Sequence, residues 1–262
     1  MTAVLPLIPH VLLAIVLARS LAATAFGVRS GARLRRLLST GQRQRFRRYR
    51  RSIIESWLMA ALIPAIVATS PSLTFSDVGW RRPADEIIDY LLCAYFALMV
   101  TIGGVRVRRR MRSGVAVAGR ALVAAIVPQT RSERRWALSL AASAAVTEEA
   151  VYRGLLIAAG TRLYHLPLAV AVAVSLLLFI GIHAYQGLRA LGAVAILSGL
   201  VLTPLYLISN SLFPVIVLHF VVNVVSMLMV PAHPTPPVEQ PDSAKPATDE
   251  AQRLGAAPAE SA

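Results

Sequence analysis

Cysteine is all but missing from this chain. Cys93 is the single one in 262 residues, so no internal disulfide framework holds the fold together. Charge is scarce too: 15% of the residues are charged against 56% hydrophobic, too apolar for a soluble domain of this length. Acidic residues are the rarer sign, 13 against 27 basic ones. The polar/apolar alternation of a barrel strand is absent, which excludes a transmembrane β-barrel. No positively charged stretch precedes the first apolar run. Although Ala23-Thr24-Ala25 has the small residues of a cleavage site, that run is expected to be a retained helix rather than a signal peptide.

What remains is blocks of apolar sequence. The segment 166–182, LPLAVAVAVSLLLFIGI, carries no charge. About 20 apolar residues cross the roughly 30 Å hydrocarbon core as a helix, and a helix satisfies its own backbone there. The fold class is therefore all-α, a polytopic integral membrane bundle of about seven transmembrane helices. The spans fall at 4–26, 53–69, 87–105, 136–160, 166–183, 190–208 and 213–230. The apolar stretch 114–127, interrupted by Arg120, reads as a short re-entrant or interfacial eighth segment.

The net charge of +14 comes almost wholly from arginine, 26 of the 27 basic residues. Nucleic-acid binding would want this charge on a folded soluble domain. Here it sits in short connections beside apolar spans, as the positive-inside bias requires, so no nucleic-acid partner is expected. Ten arginines fall in 27–52 and nine in 106–135, whereas 70–86, 161–165 and 209–212 carry only Arg81, Arg82 and Arg162. The two basic connections are expected in the cytoplasm and the N-terminus outside, in a multi-pass protein of the plasma (cytoplasmic) membrane. The polybasic 27–52 connection reads as a topology determinant or as a segment lying on anionic headgroups. From residue 231 the chain turns to Pro and Ala, which reads as a disordered tail. The expected division is 1–70, N-terminal helices and basic loop; 71–230, a core; and 231–262, the tail.

Ionisable groups inside spans are costly and mark function or helix pairing. Three clusters qualify. In Thr147-Glu148-Glu149-Ala150-Val151-Tyr152-Arg153, Glu149 and Arg153 are four apart and share a helical face, so they pair. Glu148 points about 100° away, left for general acid/base work or for a buried ion-pair network. Phe179-Ile180-Gly181-Ile182-His183 ends the fifth span. There His183 is an interfacial histidine or a functional one, and Gly181 lets another backbone or a substrate approach. His219-Phe220-Val221-Val222-Asn223 puts an imidazole and an amide on one face of the seventh span, as interhelical glue or as oxyanion donors. A carboxylate pair, two histidines and an amide on three helices facing one interior make a hydrolytic set.

The three motifs, Glu148-Glu149-x-x-x-Arg153, Phe179-x-x-x-His183 and His219-x-x-x-Asn223, resemble in order and spacing the signature motifs of the CPBP family. That family groups CAAX prenyl endoproteases with bacteriocin-processing and self-immunity proteins. The lead-ins Thr74-Phe75-Ser76-Asp77-Val78-Gly79-Trp80 and Val127-Pro128-Gln129-Thr130-Arg131 look similar too, so the resemblance covers about 71–230. It implies an intramembrane endopeptidase whose site opens toward the cytoplasm. Glu148 would activate a water with help from His183, His219 and Asn223 would stabilise the oxyanion, and Glu149 and Arg153 would hold the motif helix beside Phe179. Its partners would be membrane-associated peptides or proteins, including lipid-modified ones. The family is often labelled a metalloprotease, and Glu148, His183 and His219 are the residues a zinc ion would take. There is no His-Glu-x-x-His helix and Asn223 is a poor zinc ligand, so no cofactor is favoured. The alternative function is a proteolytically silent scaffold that binds a partner membrane protein through the same cavity. A transporter would want inverted repeats or broken helices, and the sequence shows neither.

Overall fold

The computed structural model describes residues 7–39, 42–113 and 127–228. The expected 231–262 tail and nearly all of the 114–127 segment lie outside the described residues. Among those described, the chain is helical with no strand. α1 spans Ile8–Ser39, α2 Gln42–Ala60, α3 Leu62–Thr69 and α4 Glu86–Arg112. α5 (Arg131–Glu148) runs through a π-helical segment, Glu149–Leu156, into α6 (Ile157–Arg162). α7 is Leu168–Ile182, followed by a 3₁₀ turn at Ala184–Gln186. α8 (Leu188–Leu197) continues through a second π segment, Ser198–Leu202, into α9 (Thr203–Ser209), and α10 is Leu212–Leu228.

Among the described residues, five stretches are long and apolar enough to cross a membrane: Ile8–Gly27, Arg43–Thr69, Glu86–Arg112, Leu168–Gln186 and Leu188–Ser209. The other two expected spans are present as helices. The α5–α6 helix is interrupted by Glu148, Glu149 and Arg153, and α10 is apolar but has only 17 residues. Apolar side chains face outward along α4, where Ile87 is 74% and Leu91 64% exposed. A soluble protein would not leave such a strip uncovered; lipid covers it. The chain is an integral membrane protein.

The local sequence explains the boundaries. Pro64 has no N–H to give the preceding turn, and the helix breaks at Ala61 between α2 and α3. α5 starts with a capping box, in which the Thr130 side chain accepts from the Glu133 N–H while Glu133 reaches back to the N-cap. One sequence expectation changes here. The basic stretch 27–52, expected as a loop, is mostly helix, since α1 runs to Ser39 and α2 begins at Gln42. Arginine is a good helix former. Arg45 of this stretch is buried, with its Nε 2.9 Å from Glu133 Oε1 and Nη2 3.2 Å from Gln129 Oε1. It ties α2 to the start of α5.

Two sets of contacts position the site. α10 packs on α4 and α5, and α1 packs on α7 and on the Ala184–Gln186 turn. The lead-in 74–80 crosses the motif helix at Gly154, where a Cβ would meet the Val78 carbonyl oxygen at 2.5 Å. Only glycine admits that approach.

Candidate active site

The site begins where α5 changes its winding. Glu148 is the last α-helical residue and Glu149 the first of the π segment. π segments are rare and concentrate at functional sites. Glu149 is fully buried and Arg153 is 2% exposed. They form the expected i,i+4 pair, with Nη1 3.0 Å from Oε1. Burying two charges in an apolar bundle is costly unless every arm of the pair is satisfied. Arg153 is satisfied on two more sides, whereas Glu149 Oε2 is buried with no hydrogen-bond partner among the described residues. The Arg153 Nη2 donates to the buried Ser198 hydroxyl, and its guanidinium lies 4.0 Å from the centroid of the Phe179 ring, a cation–π contact. Ser198 opens the second π segment, so the Arg153–Ser198 bond joins the two π segments of the bundle.

Glu149 Oε1 also receives His219, whose Nδ1 stands 2.6 Å away. A carboxylate oxygen paired with arginine accepts, so Nδ1 carries the hydrogen and Nε2 presents its lone pair. His183 is fixed in the same sense. Its Nδ1 lies 2.8 Å from the Phe179 carbonyl oxygen, and a carbonyl can only accept. The two free Nε2 atoms converge on one oxygen: Glu148 Oε2 is 3.9 Å from His183 Nε2 and 3.9 Å from His219 Nε2. That oxygen is buried and has no hydrogen-bond partner among the described residues. Phe179 is packed against both imidazoles, at 4.8 Å from the His183 ring and edge-on at 6.1 Å from His219.

The structure thus brings Glu148, Glu149, Arg153, Phe179, His183 and His219 together. It places Asn223 differently. Asn223 Nδ2 donates to the Ala141 carbonyl at 3.3 Å. Ala141 lies seven residues before Glu148, about 10 Å along the helix at 1.5 Å per residue. Asn223 lies one turn of α10 beyond His219, and in this structure its amide ties α10 to α5.

Several residues join the site unannounced by the sequence reading. Ser198 was visible as a hydroxyl in an apolar span, but nothing local named Arg153 as its partner. Tyr152 lies in the first motif; its hydroxyl is 3.0 Å from that of Ser20 in α1, and its carbonyl accepts from Ser175 of α7. Tyr185 stacks on His183, with 6.5 Å between centroids and 22° between planes. Gly181 does admit a neighbour, and the neighbour is Thr24 of α1, whose side chain occupies the space a Cβ would need. A Cβ on Gly31 would collide with the Tyr185 backbone carbonyl. α1 is therefore a wall of the site.

A zinc ion held by Glu148, His183 and His219 is not matched by this geometry. Donors about 2.0–2.1 Å from a tetrahedral zinc stand roughly 3.3–3.4 Å from one another. The carboxylate–imidazole separations here are 3.9 Å.

Comparison with known proteins gives one match. Residues 131–225 fit the family model of the Rce1-like type II CAAX prenyl endopeptidases. The match starts at the first residue of α5 and ends within α10, so α1–α4 lie outside it. No curated protein and no solved structure matches the chain. The segment 131–225, which carries all three motifs and every residue of the glutamate–histidine cluster, is similar to the Rce1-like endopeptidases of the CPBP family.

Proposed function

We propose that the chain is an intramembrane endopeptidase that hydrolyses peptide bonds of membrane-associated substrates with a water activated by Glu148. The observation that carries the reading is the convergence of two imidazole Nε2 atoms on Glu148 Oε2, a buried oxygen with no hydrogen-bond partner among the described residues. Groups 3.9 Å apart are too far for direct hydrogen bonds and suited to share a water. In the proposed step, that water gives one hydrogen to Glu148 Oε2 and directs the other at His183 Nε2. Its oxygen attacks the scissile carbonyl. Glu148 takes the proton and later delivers it to the leaving amine, so the C–N bond breaks and the carboxylate is restored. His219 faces the oxyanion. When it carries hydrogens on both nitrogens, Nδ1–H stays on Glu149 and Nε2–H is directed at the developing charge. Arg153 and Phe179 hold this arrangement and do not touch the reacting atoms.

The arginine distribution supports a cytoplasmic opening. His183 ends α7 beside the turn against which the arginine-rich half of α1 packs, and arginine-rich ends face the cytoplasm. A membrane-anchored peptide presented from that side is the proposed substrate, and the plasma membrane the proposed location.

The test is Glu148→Gln, which keeps shape and removes the base. It should abolish cleavage of a membrane-anchored reporter while the protein stays inserted with an unchanged melting temperature. Normal cleavage by this variant would end the proposal; a wild type that cleaves nothing, beside a Glu148→Gln that keeps its cellular function, is the result expected of the scaffold.

A further inference from the structure

At the other end of the bundle lies a second, unrelated cavity of about 260 Å³, between the 70–85 connection and the ends of α6, α7 and α9. Leu168 lines it and starts α7, whereas His183 follows the end of that helix. A helix of 15 residues puts about 22 Å between them. The cavity is not part of the glutamate–histidine site.

Its lining is mixed. Its polar members include Arg81, Arg162 and Asp77, and its apolar members include Leu168 and Leu207. The arginines are informative because this side of the protein has few. Its connections hold only Arg81, Arg82 and Arg162, and two of those three line this one cavity. Arg82 is outside it and stands 3.6 Å from Glu86. Arg81 is anchored by its Nε, which donates to the Asn210 carbonyl at 2.8 Å. Asp77 in the same lining lies within its electrostatic reach, but no carboxylate forms a salt bridge with Arg81 among the described residues, so the outer edge of its guanidinium is open to a ligand. Arg162 contacts Asp77 at 3.1 Å with its side chain 61% exposed, and so exposed a pair contributes little and exchanges partners readily. Leu168 and Leu207 are 52% and 41% exposed, so the apolar lining is continuous with the lipid-facing surface.

We propose that this cavity binds an anionic phospholipid. Its phosphate is received by Arg81 and Arg162, and an acyl chain runs past Leu168 and Leu207. Guanidinium forks match phosphate oxygens in geometry and charge. A free phosphate would use the same polar groups and leave the apolar lining unused.

The test uses the full-length protein, purified and stripped of lipid in detergent. Its melting temperature is titrated with phosphatidylglycerol, with phosphatidylcholine and with inorganic phosphate. Phosphatidylglycerol should raise it saturably, and the other two should not. Arg81→Gln should weaken the phosphatidylglycerol response at least tenfold, and Arg81→Gln with Arg162→Gln should remove it. Arg82→Gln, on the same connection but outside the cavity, should respond as the wild type. Equal responses to the two lipids, or an equal loss in Arg82→Gln, would reduce the effect to general surface charge and overturn the site. A response to inorganic phosphate as strong as that to the lipid would overturn the lipid assignment. Should the double variant fail to fold, native mass spectrometry of the wild type decides. One phosphatidylglycerol retained per chain in preference to phosphatidylcholine supports the site, and no preference refutes it.

Discussion

Glu149 holds His219 through a 2.6 Å contact between Oε1 and Nδ1, and the same oxygen accepts from Arg153 at 3.0 Å. One buried carboxylate thus neutralises a guanidinium and fixes the tautomer of an imidazole on another helix. The neighbouring carboxylate, one residue earlier, is left partly accessible, with no ion pair or hydrogen bond closer than the 3.9 Å approach of the two imidazoles among the described residues. The two glutamates of the motif are set apart by their environments, since Glu149 is fully buried and the Glu148 side chain is 22% exposed.

Glu149→Gln should therefore act mainly on stability. It removes the charge partner of Arg153 inside an apolar bundle, and breaking a buried pair from one side costs about 3–5 kcal/mol. A clear fall in melting temperature is expected, with residual cleavage by the protein that remains folded. A stable but inactive Glu149→Gln, beside an active Glu148→Gln, would reverse the assignment of the two carboxylates.

His219 and Asn223 should separate. His219→Ala removes a group that faces the Glu148 oxygen, and losing one oxyanion donor costs on the order of 10²–10³ in rate. Asn223→Ala removes a hydrogen bond to the Ala141 carbonyl, about 1 kcal/mol of helix packing, with cleavage within tenfold of wild type. Steady-state cleavage of a reporter peptide by the two variants decides between them. Equal losses would show that the Asn223 amide leaves Ala141 and joins the reaction.

The α1 wall has its own prediction. Gly31→Leu places a side chain against the Tyr185 carbonyl and must displace the turn that follows His183. Cleavage should fall at least tenfold with membrane insertion retained, because near-attack geometry tolerates little displacement. A fully active Gly31→Leu would mean that α1 is a bystander to the site.

On metal, the expectation is that protein purified without added zinc is active and keeps its activity after chelation. Elemental analysis showing one tightly held zinc per chain, lost together with cleavage, would replace the glutamate mechanism by one that runs through the ion.

The sequence by itself determined the helices and the three polar motifs. Hydropathy is a property of a continuous stretch, so the seven expected spans reappear as helices, with α4 at Glu86–Arg112 against an expected 87–105. The Glu149–Arg153 pair was legible for the same reason, because i,i+4 neighbours meet within one helix. Partners on different helices have no such local signature. The Ser198 hydroxyl on Arg153, the Glu149 carboxylate on His219, and Thr24 in the space over Gly181 are decided by how the helices pack. That packing also gives the Asn223 amide the Ala141 carbonyl as its partner, and makes α1, which no motif marks, a wall of the site. A polar residue in an apolar span announces that a partner exists; only tertiary contact, set by side-chain fit between helices, says which partner it is.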